Sequence, residues 1–150
     1  MARSSSTLLA ICRSFLYLSG VLCGVVPGAV TAGEIAPFTS DGCSAFPDGT
    51  IDQNQLWLNC CTEHDRTYWM GGTREDRTIA DQVLKDCVAS VGHPNIAELM
   101  LAGVRVGGTP YLPTRFRWGY GWPYPRGYEP LSDELRRRLI KQSKREVREK

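Results

Sequence analysis

Two adjacent cysteines, Cys60 and Cys61, constrain the fold of this chain more than any other feature. With Cys43 and Cys87 they form an even set of four, and the other two cysteines lie in the amino-terminal segment. Four cysteines allow three pairings. We do not expect sequence neighbours to bond to each other, so each adjacent cysteine should reach a different element. Two candidate disulfide frameworks remain.

The first 32 residues have the features of an export signal. Basic residues come first, an apolar stretch covers residues 15–30, and the small residues Val30 and Ala32 stand where a signal peptidase cleaves. We place the cleavage site near Ala32/Gly33, which predicts a secreted or periplasmic protein with oxidised cysteines. Membrane anchoring by an uncleaved signal is the alternative, because the apolar stretch is long.

The length of 150 residues fits one domain at roughly 100 to 200 residues per domain. We divide the chain into the signal peptide (1–32), a main domain (33–131) and a basic carboxy-terminal helix (132–150). Residues 33–100 hold 11 acidic and 4 basic residues, whereas residues 101–150 hold 5 acidic and 12 basic residues. The acidic part suits a cation, and the basic tail suits a phosphate-bearing surface or is simply a solvated helix.

The residue pattern predicts two helices around a short glycine turn. No Gly or Pro interrupts residues 56–70, and the pair Gly71-Gly72 ends this segment. Thr73 and Asp76 form a capping-box pattern that opens the second helix. Its apolar residues recur at helical spacing: Ile79, Ala80, Val83, Leu84, Cys87, Val88 and Val91.

Two further helices and a long coil complete the predicted secondary structure. The third helix begins near Pro94 and ends at Gly107-Gly108. Residues 109–130 are dense in Pro, Gly and aromatic residues, which favours an ordered coil that wraps the helices. Ser132 caps a final helix from Asp133 to about Arg148, and its thin apolar side predicts a position on the surface.

One run of the first helix carries the residues suited to chemistry. On a helix, Cys60, Cys61, His64 and Tyr68 share a face, and Asp65 lies beside the histidine. On the second helix, Asp81 precedes Cys87 by six residues, so one helix presents both a carboxylate and a disulfide partner.

This combination resembles the secreted phospholipase A2 superfamily over about residues 41–88. The resemblance is carried by the run Cys-Cys-x-x-His-Asp-x-x-Tyr from position 60, together with Asp81-x5-Cys87. It implies an all-α, phospholipase A2-like fold of two antiparallel disulfide-linked helices, additional helices and long ordered coil. The absence of an evident amino-terminal helix brings the chain nearer to the compact bacterial and fungal forms.

The resemblance also implies a role for each motif residue. His64 would be the general base, Asp81 would orient its imidazole, and Tyr68 would hydrogen-bond to Asp81. Asp65 would be the calcium carboxylate. The implied disulfides are Cys60–Cys87 and Cys43–Cys61, and a third bridge of many members is missing as a whole, since Thr67 and Ala80 occupy its positions.

The calcium loop keeps only part of the expected glycine pattern. We assign the carbonyl oxygens of Gly42 and Ser44 as ligands, with Phe46 as a weaker candidate. Asp41 or Asp48 could add side-chain oxygens. Hard oxygen ligands of this kind suit Ca²⁺.

The expected activity is calcium-dependent hydrolysis of a glycerophospholipid acyl ester by a water that His64 activates. Imidazoles titrate near neutral pH, and a bound cation stabilises the oxyanion that forms. The expected partner is a phospholipid membrane surface, with no nucleic acid, and the protein is expected to be a monomer.

Three alternatives remain open. The first is a catalytically inactive, disulfide-stapled module that binds lipid or protein, in which His64 and Asp81 form only a structural hydrogen bond. The second is a zinc site built from Cys61 and His64 together with Cys43 and Cys87. The third concerns Asp81 alone, which could form an ordinary ion pair with Lys85.

Three residues near these motifs are assigned no role. We interpret Glu63 and Arg66 as solvated. His93, which precedes Pro94, is interpreted as a loop or helix-start residue.

Overall fold

The computed structural model describes residues 34–148, and within this range it contains four helices and no strand. The helices are α1 (Leu58–Met70), α2 (Arg74–Ser90), α3 (Pro94–Gly107) and α4 (Asp133–Arg148). The all-α prediction is confirmed. The predicted signal peptide and its cleavage site lie outside the described residues. No helix in the described part of the chain combines the length and hydropathy needed to cross a membrane.

The turn between α1 and α2 forms as its sequence predicts. Gly71 adopts φ 70°, a conformation that favours glycine, and it ends α1. The Thr73 hydroxyl accepts a hydrogen bond from the Asp76 amide at 3.1 Å, and the Thr73 amide donates to Asp76 Oδ2 at 2.8 Å. This capping box satisfies two amide groups at the start of α2 and reverses the chain within three residues.

Two disulfides join the elements around α1. Cys60–Cys87 connects α1 to α2, and Cys43–Cys61 connects the preceding loop to α1. These are the pairings that the family resemblance implies. Because these four sulfurs are all oxidised, none of them is a thiolate that could bind zinc, and the zinc site proposed from them is wrong.

A core between α1, α2 and α3 forms around these bridges. It includes Trp57, Leu84, Val88, Ala97 and Met100. The apolar pattern of α2 is only partly buried, since Ile79 and Val83 remain more than half exposed. The helical spacing of the apolar residues alone did not distinguish those on the packed face of α2 from those at its edge, such as Ile79 and Val83.

Residues 109–130 form the predicted ordered coil, and tryptophan side chains fix it to the end of α1. Trp118 Nε1 donates to the carbonyl of Gly72 at 2.9 Å, and Trp122 Nε1 donates to that of Met70 at 2.7 Å. The indole of Trp69 in turn donates to Ala36 at 2.8 Å. The bond to Met70 satisfies a carbonyl group that the end of α1 leaves without a partner within the helix.

Helix α4 packs against α1 through a narrow inner face. Leu139 is 1% exposed and Ser143 is fully buried. Glu146 also faces inward, where Oε2 accepts a hydrogen bond from the Phe38 amide at 2.7 Å. The remainder of α4 lies on the surface, as its composition predicts.

Candidate functional site

His64 and Asp81 meet across the interface of α1 and α2. His64 Nε2 lies 3.1 Å from Asp81 Oδ1, and the Tyr68 hydroxyl donates to the same oxygen at 2.7 Å. Asp81 is fully buried and His64 is 9% exposed. The Cys60–Cys87 bridge lies one helical turn before His64, so it keeps the two helices close where these side chains touch.

The contact with Asp81 fixes which nitrogen of His64 is free. A carboxylate accepts hydrogen bonds, so Nε2 carries the proton that faces Asp81. Within residues 34–148, Nδ1 of His64 accepts no hydrogen bond, and it keeps a lone pair. His64 also lines a cavity, so this arrangement can accept a proton from a bound molecule.

Two arginines surround the same carboxylate, and the sequence pattern did not indicate either of them. Arg105 Nε lies 2.9 Å from Asp81 Oδ2, although its N–H is not aligned for a hydrogen bond. Arg77 Nε lies 4.0 Å from Oδ2 and donates to the Tyr68 hydroxyl at 3.1 Å. Burial and the negative charge of Asp81 raise the pKa of Tyr68, so the phenol stays protonated and acts as a donor.

Arg77 also attaches the end of α3 to this cluster. Its Nη2 donates to the carbonyls of Val104 and Arg105 at 2.9 and 2.8 Å, and its Nη1 donates to the Tyr128 hydroxyl at 2.8 Å. The only sequence signal for Arg77 is its position four residues before Asp81. Lys85, the partner that a four-residue spacing after Asp81 suggested, pairs with Glu98 instead at 2.6 Å.

A cavity of about 330 Å³ opens beside His64. The loop around Cys43 forms one wall, Asp65 and Tyr68 share the wall with His64, and α3 forms the opposite side. The lining on the α3 side is mainly apolar and comes from α3 itself and from the coil that follows it. These lining residues are Leu99, Met100, Gly103, Val104, Gly107 and Phe116.

Gly108 allows α3 to end directly against Tyr68. A Cβ atom at this position would lie 2.5 Å from the Tyr68 ring and hydroxyl. Only glycine therefore fits here without moving the tyrosine that contacts Asp81. The pattern Gly107-Gly108 by itself indicated only the end of the helix.

Asp65 lies in the same cavity wall and has an unusual environment for a carboxylate. Ser40 Oγ donates to its Oδ2 at 2.6 Å. Burial raises the pKa of Asp65 to about 7, and the nearby charges of Asp41 and Asp48 act in the same direction, while the bond from Ser40 opposes them. A second cavity of about 380 Å³ also reaches Asp65, from the side of Ser40 and Tyr120.

The loop around Cys43 is folded around its own aspartates. Asp48 Oδ1 accepts from the Cys43 amide at 2.8 Å, and Asp41 Oδ1 accepts from the Ser44 hydroxyl at 2.7 Å. The carbonyl of Gly42 accepts from the Ser44 amide at 3.1 Å and retains a second lone pair. The two aspartates that could supply side-chain ligands therefore already hold the loop together.

Carboxylate and carbonyl oxygens are the donors that hard divalent cations prefer. In residues 34–148 no three His, Cys, Asp or Glu side chains converge as a metal site, so a cation here would combine Asp65 with backbone carbonyls such as those of Gly42 and Ser44. Both residues line the same cavity as Asp65. Burial raises the pKa of Asp65, and the charges of Asp41 and Asp48 add to it, so the ionised carboxylate lacks the compensating positive charge that a bound cation would supply.

Arg66 differs from its interpretation as a solvated residue. It is 8% exposed, its guanidinium pairs with Glu63, and it lies 5.4 Å from the centre of the Phe38 ring. Arg66 is buried because Phe38, from a distant part of the chain, covers this side of α1. His93 is the residue before α3, as interpreted, and its ring packs edge-on against Trp57.

No family model matches this chain, and the comparisons with curated proteins and with solved structures find no match either.

Proposed function

We propose that this protein is a calcium-dependent hydrolase of phospholipase A2 type that cleaves an acyl ester of glycerophospholipids with a water activated by His64. The observation that carries the proposal is the 3.1 Å contact between His64 and the buried Asp81, at the wall of a cavity that Asp65 also lines. The proposed phospholipase A2-like fold draws on the same helix pair and its two disulfides.

The chain supplies the proton transfers of such a reaction. His64 Nδ1 removes a proton from water while the water oxygen bonds to the ester carbonyl carbon. Asp81 stabilises the resulting imidazolium and keeps the ring oriented, with Tyr68 holding the carboxylate in place. When the tetrahedral intermediate collapses, the bond to the alcohol oxygen breaks and the imidazolium returns its proton to that oxygen.

Asp65 and the carbonyl oxygens of Gly42 and Ser44 would hold the calcium ion. When bound, calcium supplies positive charge for the oxyanion that develops on the ester carbonyl. The chain's own contribution is to bring Asp65 and the loop to one cavity, which the Cys43–Cys61 bridge does by fixing the loop one turn before Asp65.

The shape and lining of the cavity support an acyl substrate. Its volume of about 330 Å³ is near the lower end of the range of small-molecule sites, which is about 300–1,000 Å³. The mainly apolar side formed by α3 suits one hydrocarbon chain, whereas the remainder of a phospholipid would stay outside. This arrangement agrees with a substrate that stays partly in a membrane surface.

The test is liposome hydrolysis by His64→Gln, with His93→Gln as the matched control at the chain's other histidine. We expect His64→Gln to reduce kcat by at least about 100-fold, since general base catalysis contributes roughly 10²–10⁴. His93→Gln should retain activity, and a calcium chelator should abolish the hydrolysis by the unmodified protein.

Two results would count against the proposal. Undiminished hydrolysis by a folded His64→Gln variant would show that His64 is not the general base. Activity that persists with the chelator would show that the reaction does not require calcium. Asp65, Gly42 and Ser44 would then lose their proposed role as calcium ligands, whereas the role of His64 would stand.

A non-catalytic lipid-binding module is the second candidate. Exposed apolar side chains favour it, among them Leu99 and Phe116 at the cavity. Vesicle binding without hydrolysis, equal in the unmodified protein and in His64→Gln, would support this candidate.

A further inference from the structure

We propose that the outer face of α4 docks the protein on anionic phospholipid bilayers. The inference extends the proposed function, because a lipid hydrolase must first reach a membrane surface. The face consists of six exposed cations, which we call the cationic stripe: Arg137, Arg138, Lys141, Lys144, Arg145 and Arg148.

The positions of these cations place them on one side of the helix. Their spacing of three, four and seven residues repeats with the helical period, so they form a row along the outer surface. The inner side holds Leu139 and the buried Ser143. Glu146 is the only acid in the second half of α4, and it bonds inward to the Phe38 amide. The orientation of α4 therefore exposes positive charge and turns the acid away.

The stripe carries little compensating charge within the described residues. Arg137 pairs with the exposed Glu134 at 2.9 Å, and the other five cations make no ion pair with another residue of the described range. Arg136, which lies outside the stripe, pairs with Asp76 at 3.2 Å. Like charges three and four residues apart repel each other, so a negatively charged surface would stabilise this face.

The side chains of the stripe favour a lipid surface over nucleic acid. Single-stranded nucleic acids bind to proteins through aromatic side chains on which bases stack, and the stripe contains none. Clusters of about 4–8 Lys and Arg on an amphipathic helix are typical of binding to anionic lipid headgroups. The inner residues hold α4 against the rest of the protein, so the cations present a fixed row to a planar surface.

The test measures binding of the His64→Gln protein to sedimented vesicles, so that no hydrolysis is needed. We compare vesicles of phosphatidylcholine alone with vesicles that also contain phosphatidylserine. Lys141→Gln with Lys144→Gln should weaken binding to the mixed vesicles by about 30-fold, because each cation near an anionic surface contributes roughly five-fold in affinity.

A second variant separates the stripe from overall charge. Adding Asp52→Asn and Asp86→Asn, at two exposed acids, restores the net charge of the doubly substituted protein. Binding should remain weak in this variant if the stripe is the docking surface. Recovery of binding would show that net charge alone governs it and would overturn the proposal.

Two other results would also overturn it. One is equal affinity for the two kinds of vesicle, and the other is tighter binding to duplex DNA than to mixed vesicles at the same salt concentration. Because binding is measured in a hydrolysis-deficient protein, these outcomes are independent of whether the ester hydrolysis proposal holds.

Discussion

The disulfide-linked region, residues 43–87, and the carboxy-terminal region, residues 109–148, are stabilised in different ways. The first contains both disulfides and most of the buried polar side chains, namely His64, Asp65, Arg66, Arg77 and Asp81. The second contains no disulfide, and its buried polar side chains are Arg117 and Ser143. Burying charged groups opposes folding unless they are well paired. The covalent links thus lie where the interior is most polar, whereas the mostly aromatic region is held by indole hydrogen bonds instead.

The largest change in the free energy of unfolding is expected from a substitution in the region without disulfides. Trp118 is fully buried, contacts Tyr68 edge-on and donates to Gly72. Trp118→Ala should lower the free energy of unfolding by about 3–5 kcal/mol, measured by chemical denaturation. Trp118→Phe, which keeps most of the ring but leaves the buried Gly72 carbonyl without its donor, should lose less, about 1–3 kcal/mol. Equal losses in the two variants would mean that the hydrogen bond, and not packing, holds this region.

The next largest change in stability is expected when a disulfide of the disulfide-linked region is removed. Replacing Cys60 and Cys87 by alanine opens a link across 27 residues, and replacing Cys43 and Cys61 opens one across 18. We expect losses of about 3.5 and 3 kcal/mol, respectively, in the free energy of unfolding.

The two cysteine variants should differ more in activity than in stability. Loss of Cys60–Cys87 frees the helices that bring His64 to Asp81, whereas loss of Cys43–Cys61 frees the loop beside Asp65. The first should lower kcat at saturating calcium, and the second should raise the calcium concentration needed. If both variants show the same defect, the two bridges do not have separate roles.

The smallest effect concerns the buried Asp65. Its pKa in the folded protein, about 7, lies above the ordinary value of 3.8, so the folded state holds this proton more tightly than the unfolded state does. The free energy of unfolding should therefore fall as the pH rises from about 4 to about 7. Without divalent cations, Asp65→Asn should be more stable than the unmodified protein above pH 7, by a few kcal/mol at most.

This stabilisation should disappear below about pH 4, where the unmodified carboxyl is protonated in both states. Thermal unfolding at both ends of the pH range checks the sign. A variant less stable at high pH would mean that the carboxylate is better solvated in the fold than its burial indicates. Calcium-dependent stabilisation should also be lost in Asp65→Asn if this residue binds the ion.

Local sequence signals predicted the helix ends and failed for the contacts around the site. Gly71, the pair Thr73 and Asp76, and Pro94 act within a few residues, and the structure has helix boundaries where they predict them. Arg105 lies 24 positions from Asp81, and a local sequence pattern does not predict a contact between residues so far apart in the chain.

The misinterpretation of Arg66 has the same cause. An acid three residues earlier is typical of an exposed ion pair, but Phe38 covers the arginine from 28 positions away. The motif from Cys60 to Cys87 predicted which residues meet at Asp81, whereas the charges that surround them come from other parts of the fold. Environments built by long-range packing are thus the part that sequence patterns miss.

The bond between Glu146 and the Phe38 amide joins two segments that are 108 positions apart. Two residues after Phe38, the hydroxyl of Ser40 contacts Asp65. Proteolytic trimming of the last helical turns would therefore remove one of the contacts of the segment that carries this serine, whereas the bond from Trp69 to Ala36 would remain. Removal of the end of α4 would thus alter the surroundings of Asp65 through two successive contacts.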